Sequence, residues 1–155
     1  MVEDFATRDN IEKAKRGANF EAEIEGLLVK AQLSKVIDGF RKKPEYGGCF
    51  RPNFEVRKGD TILLIDATTT ARTDRIKGKL WDAYNAKRLI RSQVKDEGGG
   101  KVKKVLSCIV VQKTEGEEKE AFERAKKYIE ECSKPLDAVD LLLSVEEFVE
   151  LLRAL

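Results

Sequence analysis

The sequence predicts an α/β protein in which a mixed β-sheet lies between helices. Three observations carry that reading. Strand-like and helix-like patterns alternate through the second half of the chain, which implies right-handed crossovers and parallel neighbours. The segment VKKVLSCIVVQ at 102–112 is an apolar run bounded by loop residues, as expected of a strand buried on both faces. Ahead of it, residues 49–69 read as an antiparallel hairpin, so the sheet is mixed.

The elements follow in order. Residues 1–16 are polar and charged and read as an N-terminal extension, with Asp9 a candidate N-cap; residues 17–155 read as the core of one domain. From Gly17 to Lys35, Phe20, Ile24, Leu27, Leu28 and Ala31 fall at i, i+4, i+7, i+8 and i+11, the apolar stripe of a helix. RKKPEYGG at 41–48 reads as a break. CFRPNFEV (49–56) and DTILLIDATT (60–69) read as strands rich in β-branched side chains, with Lys58-Gly59 as a two-residue turn. A basic helix spans 71–94, Gly98-Gly99-Gly100 is a loop, a mixed-charge helix covers 117–132, a second buried strand 138–143, and a closing helix 145–155.

Composition narrows the chemistry. With 155 residues, 41% hydrophobic and 37% charged, the chain suits one folded domain. Thirty basic and 28 acidic residues leave a net charge of +2, so any binding of nucleic acid must come from local clustering. Histidine is absent, which removes the commonest general base, Ser-His-Asp triads and His-ligated zinc. Cys49, Cys108 and Cys132 are odd in number and far apart, excluding a disulfide framework and a zinc knuckle. No apolar run approaches the roughly 18 residues of a membrane span, and MVEDF lacks the character of a signal peptide, so the cytoplasm is expected. Abundant Lys and Glu with few Gln and Asn resemble a thermophile's composition. Carboxylates, lysines and a metal remain for catalysis.

Asp66 focuses that chemistry. With Lys58 and Gly59 as the turn, Arg57 faces Asp60 and Asn53 faces Leu64. Strand alternation then puts Asn53, Glu55, Asp66 and Thr68 on one face, with Asn53 diagonal to Asp66. A three-residue loop would reverse that parity. Asp66 follows the apolar run ILLI, where a carboxylate is costly unless a metal or donors satisfy it. The simpler alternative is an aspartate that ends the strand and caps a turn.

Three stretches resemble the PD-(D/E)xK nucleases, whose restriction-endonuclease-like fold is shared by type II restriction enzymes and archaeal Holliday-junction resolvases. RGANFEAEIEGLL (16–28) is similar to the first helix of the archaeal resolvases, where a Gly-Ala pair precedes a metal-site glutamate. That match implies the role for Glu21, with Glu23 or Glu25 as alternatives. PNFEVRKGDTILLIDAT (52–68) is similar to the signature hairpin, with Pro52-Asn53 at the PD position and Asp66 at the D/E position. DAVDLLLSVEEFVELL (137–152) is similar to the closing strand and helix. The resemblance implies an endonuclease that hydrolyses DNA phosphodiester bonds with Mg²⁺ (or Mn²⁺) held by Asp66, Glu21 and Asn53. Two positions depart from the pattern: Asn53 replaces the aspartate and Thr68 the lysine. Candidates for the missing cation are Lys77 and Arg72 on the next helix; Gln112 and Lys113 end the next strand, whose parallel direction brings it to the same rim. The catalytic set is thus Glu21, Asn53, Asp66, Thr68 and Lys77. The alternative is a DNA-binding module on a nuclease scaffold that does not cut.

Positive charge concentrates between Arg72 and Lys95, where the acidic residues are Asp74 and Asp82. Arg72, Arg75, Lys77 and Lys79 are the candidate phosphate contacts, against the alternative of a solvated helix face. Trp81 and Tyr84, three apart, read as core or as a subunit contact rather than as base-stacking groups, which usually sit on a sheet or loop. Cutting both strands of a duplex needs two sites, so a homodimer is expected, with VEEFVELLRAL (145–155) and the Trp81 helix as its surfaces.

Overall fold

The computed structural model describes residues 2–46, 51–96 and 104–155. In chain order these form α1 (Val2–Leu33), β1 (Gly39–Lys42), β2 (Phe54–Lys58), β3 (Thr61–Thr68), α2 (Thr73–Asp96), β4 (Lys104–Val111), α3 (Lys119–Tyr128), β5 (Leu141–Ser144) and α4 (Val145–Ala154). The five strands make one sheet in the order β1-β2-β3-β4-β5. β1, β2 and β3 pair antiparallel, and β3, β4 and β5 pair parallel. The mixed α/β architecture is therefore as expected.

Period-two alternation along β3 builds the two cores. Leu63 and Ile65 pack with Phe20, Ile24 and Leu28 of α1 and with Phe148 and Leu152 of α4. Ile62 and Leu64 pack on the opposite side with Ala86 and Ile90 of α2. β4 does the same: Cys108 and Val110 face α1 and α4, while Ile109 and Val111 meet α2 and α3. Each fully buried Phe, Ile or Leu contributes roughly 1.5–3 kcal/mol. The phase carries on to the strand end, so Asp66 and Thr68 emerge on the α2 side.

Several expectations are corrected. The first helix begins at Val2 rather than near Gly17; Glu, Lys, Arg and Ala sustain it, and among the side chains described Phe20 is its first buried apolar residue. The segment read as a break contains β1, an edge strand paired to β2 from Gly39↔Arg57 to Lys42↔Phe54. The hairpin turn is Gly59-Asp60, not Lys58-Gly59, because Lys58 pairs with Thr61. Gly59 carries the positive φ of +58°, which glycine tolerates at the first central position. Its N–H donates to Asp38 Oδ2 at 2.7 Å. The register thus moves by two residues, which preserves face parity. Asn53 comes directly opposite Asp66 instead of diagonal to it.

Trp81 is not in the core; it is 66% exposed. The Leu-rich C-terminus is spent internally: Phe148 and Leu152 are buried, and Val145, Leu151 and Leu155 pack against the same core. Ser144 caps α4 with Glu147 in a reciprocal capping box. Cys49 and Phe50 of the expected first strand, and the Gly98–Gly100 loop, lie outside the described residues.

Candidate active site

Asn53 organises the rim where β3 ends. It sits one residue ahead of β2, and its backbone carbonyl accepts from Lys43 N–H at 2.8 Å. Its side-chain oxygen accepts from Ala67 N–H at 2.7 Å, and its amide nitrogen donates to Glu21 Oε1 at 3.1 Å. One side chain therefore ties α1 to the strand bearing Asp66. In this arrangement Asn53 holds Glu21 in place, and its oxygen is already committed to the backbone rather than offered to a cation.

Asp66 is only 13% exposed at its side chain. Burial is the main force on its carboxyl group. The Lys79 ammonium opposes that effect, Asp82 reinforces it, the Asn53 backbone N–H opposes it and Glu21 reinforces it, leaving the group pushed up to about 6. Lys79 Nζ lies 3.9 Å from Asp66 Oδ1. The acid is thus held in a carboxylate-rich pocket with one cation beside it.

Lys79 also lines a cleft of about 510 Å³, whose walls include Arg16, Thr68–Thr70, Arg72, Arg75, Asp82 and Lys113. Asp66 is not a wall residue; Lys79 stands between its carboxylate and the cleft. The β4 end reaches the same rim as expected, since Gln112 N–H donates to Thr68 O and Lys113 N–H to Thr69 O, both at 3.0 Å. Thr68 is buried, and its hydroxyl donates to Thr70 O at 2.9 Å.

The other named residues go elsewhere. Lys77 lies 5.9 Å above the Tyr128 ring, so the cation beside Asp66 is Lys79. Glu25 pairs with Lys42 at 2.9 Å, and Glu23 lines a separate groove with Lys113 and Glu117; Glu21 is the glutamate bound to Asn53. Glu55 is fully buried and clamped by Arg41 and Arg57. Sequence reasoning missed Asp82, which shares a helix face with Arg75 and Lys79 at i+7 and i+3. It also missed Lys87, fully buried and bonded to Asp137 at 2.9 Å and Asp140 at 2.5 Å. The available signal was position: Lys87 interrupts the stripe of Leu80, Ala83 and Ile90.

Among the described residues no three acidic, His or Cys side chains converge into a cage for a metal ion. Glu21 lines a separate groove with Glu25, Lys42 and Asn53, and Asn53 links it to the strand bearing Asp66; together Glu21 and Asp66 would supply the one or two carboxylates that Mg²⁺ takes while keeping several waters. Among the described residues, no helix is long and apolar enough to cross a membrane. A scan against protein-family models and a search of curated proteins found no match for the chain.

Proposed function

We propose that the chain is a metal-dependent DNA endonuclease of the PD-(D/E)xK type, acting in the cytoplasm, with Asp66 and Glu21 as anionic ligands for Mg²⁺ or Mn²⁺. The observation that carries the reading is that Asn53 ties Glu21 to the strand bearing Asp66, whose neighbour Lys79 lines a cleft rich in Arg and Lys. When bound, the metal would neutralise the developing phosphoryl charge and lower the pKa of an attacking water. Lys79 takes the place of the missing lysine, delivered from α2 rather than from position 68. Arg72, Arg75 and Lys113 hold the phosphate backbone. Two such sites in a homodimer would cut both strands.

A second reading, a DNA-binding module that does not cut, draws on specific bonds. The Asn53 oxygen is spent on Ala67 N–H, and the Thr68 hydroxyl on Thr70 O. Plasmid cleavage in Mg²⁺ or Mn²⁺, with binding measured separately in EDTA, decides between them. The wild type is expected to cut, while Asp66→Asn and Lys79→Met are silent; Asp66→Asn binds DNA as tightly or more so, having lost a negative charge near phosphates. Cleavage that survives Asp66→Asn refutes the site. Binding without cleavage by the wild type, with activity gained in the Asn53→Asp/Thr68→Lys double variant, establishes the module.

A further inference from the structure

α2 carries an aromatic ladder at the margin of the core, its inner rung Tyr84 half-buried against the cluster formed with α3 and β4. Trp81, 66% exposed, has its ring centroid 5.4 Å from that of Tyr84 at an interplanar angle of 48°. The Arg88 guanidinium sits 3.3 Å over the Tyr84 centroid. The guanidinium is tied to the helix backbone, since Arg88 donates to Tyr84 O at 2.9 Å. The ladder borders the cleft directly: Gly78 and Asp82, which line it, are three residues before Trp81 and one after.

We propose that Trp81 is a stacking platform for an unpaired base of the DNA whose backbone lies in the adjacent cleft, so that the substrate is DNA with a single-stranded arm. The inference rests on the nucleic-acid reading above. An exposed indole backed by a second ring and a guanidinium, beside a basic channel, is the pairing of stacking surface and phosphate track that binds single strands. Charge favours this occupant over a protein surface. Arg88 caps the rings, and Arg72, Arg75 and Lys79 line the adjacent cleft. The other exposed large apolar residues described, Ile11, Val29, Leu33 and Leu136, lie on α1 or in the loop before β5. One exposed indole backed by a half-buried ring matches the area of a base, not the roughly 800 Å² per partner of a stable protein interface.

Trp81 is the sole tryptophan, so its emission reports directly. Titration in EDTA would compare a blunt duplex with the same duplex carrying an unpaired arm. The armed DNA is expected to quench Trp81 emission and bind roughly tenfold tighter. Trp81→Ala should erase that advantage, Trp81→Phe should keep most of it, and neither should alter the salt dependence, because no phosphate contact is lost. Equal binding of both DNAs, untouched by Trp81→Ala, overturns the platform and leaves the nuclease reading intact. A dimer that Trp81→Ala converts to monomer in light scattering overturns it in favour of a second copy. Failure of either DNA to bind the wild type overturns the underlying reading itself.

Discussion

Replacing Asp66 by Asn should stabilise the metal-free protein in a pH-dependent way. Folding raises the affinity of this carboxyl group for protons, moving it from 3.8 to about 6. At about 1.4 kcal/mol per pH unit, the ionised side chain costs the native state about 3 kcal/mol. Below about pH 4 the group is protonated in both folded and unfolded chains, and nothing is lost. From there to about pH 6 the unfolded chain ionises first, so stability falls as pH rises, and above about 6 the full cost is present. Asn stands in for the protonated acid and avoids that cost. In EDTA, thermal unfolding of Asp66→Asn should match wild type near pH 4 and exceed it by roughly 6–12 °C at pH 8, at about 2–4 °C per kcal/mol for a chain of this size. Mg²⁺ at pH 8 should then raise the wild-type Tm and leave the variant unmoved, since a ligand stabilises only the state that binds it. A difference independent of pH, or a variant less stable at pH 8, would refute the reasoning.

Two further outcomes are expected. Lys87→Met leaves Asp140 with Ser107 N–H as its described partner, while Asp137 keeps Arg91 and much of its exposure; the loss should sit near about 3 kcal/mol, the low end for a broken buried pair. Asp140→Asn added to it should restore part of the Tm, and an unchanged Tm in Lys87→Met would show that the ion cluster adds nothing. Arg72→Ala and Arg75→Ala should each weaken DNA binding and reduce the slope of log affinity against log salt by about 0.9; unaltered slopes would make the cleft walls an ordinary solvated surface.

The sheet's central strands were legible because their burial is written into composition: ILLI and VLSCIVV leave no polar face. Face parity at Asp66 survived a wrong turn because the error was an even number of residues. β1 was hidden because GFRK is four residues long, half exposed and close to Pro44, so neither alternation nor a run marks it. Lys79 was named only for phosphate, since choosing it over Lys77 as the partner of Asp66 requires the rotational phase of α2 against β3, a tertiary fact. Lys87 looked like one more charge in a basic run. Only its partners on the approach to β5, about 50 residues away, make its burial tolerable.

The placement of β1 and β5 at the two margins of the sheet has a consequence for self-association. Each is four residues long, and β1 ends in the exposed cations Arg41 and Lys42. Such short margins offer another chain little backbone to template on. β5 gives way at once to α4, whose first turn begins at the residue after the strand. The apolar runs most prone to fibrillar stacking, in β3 and β4, are each sealed between two neighbours. Assembly of two chains through a continuous sheet is therefore disfavoured.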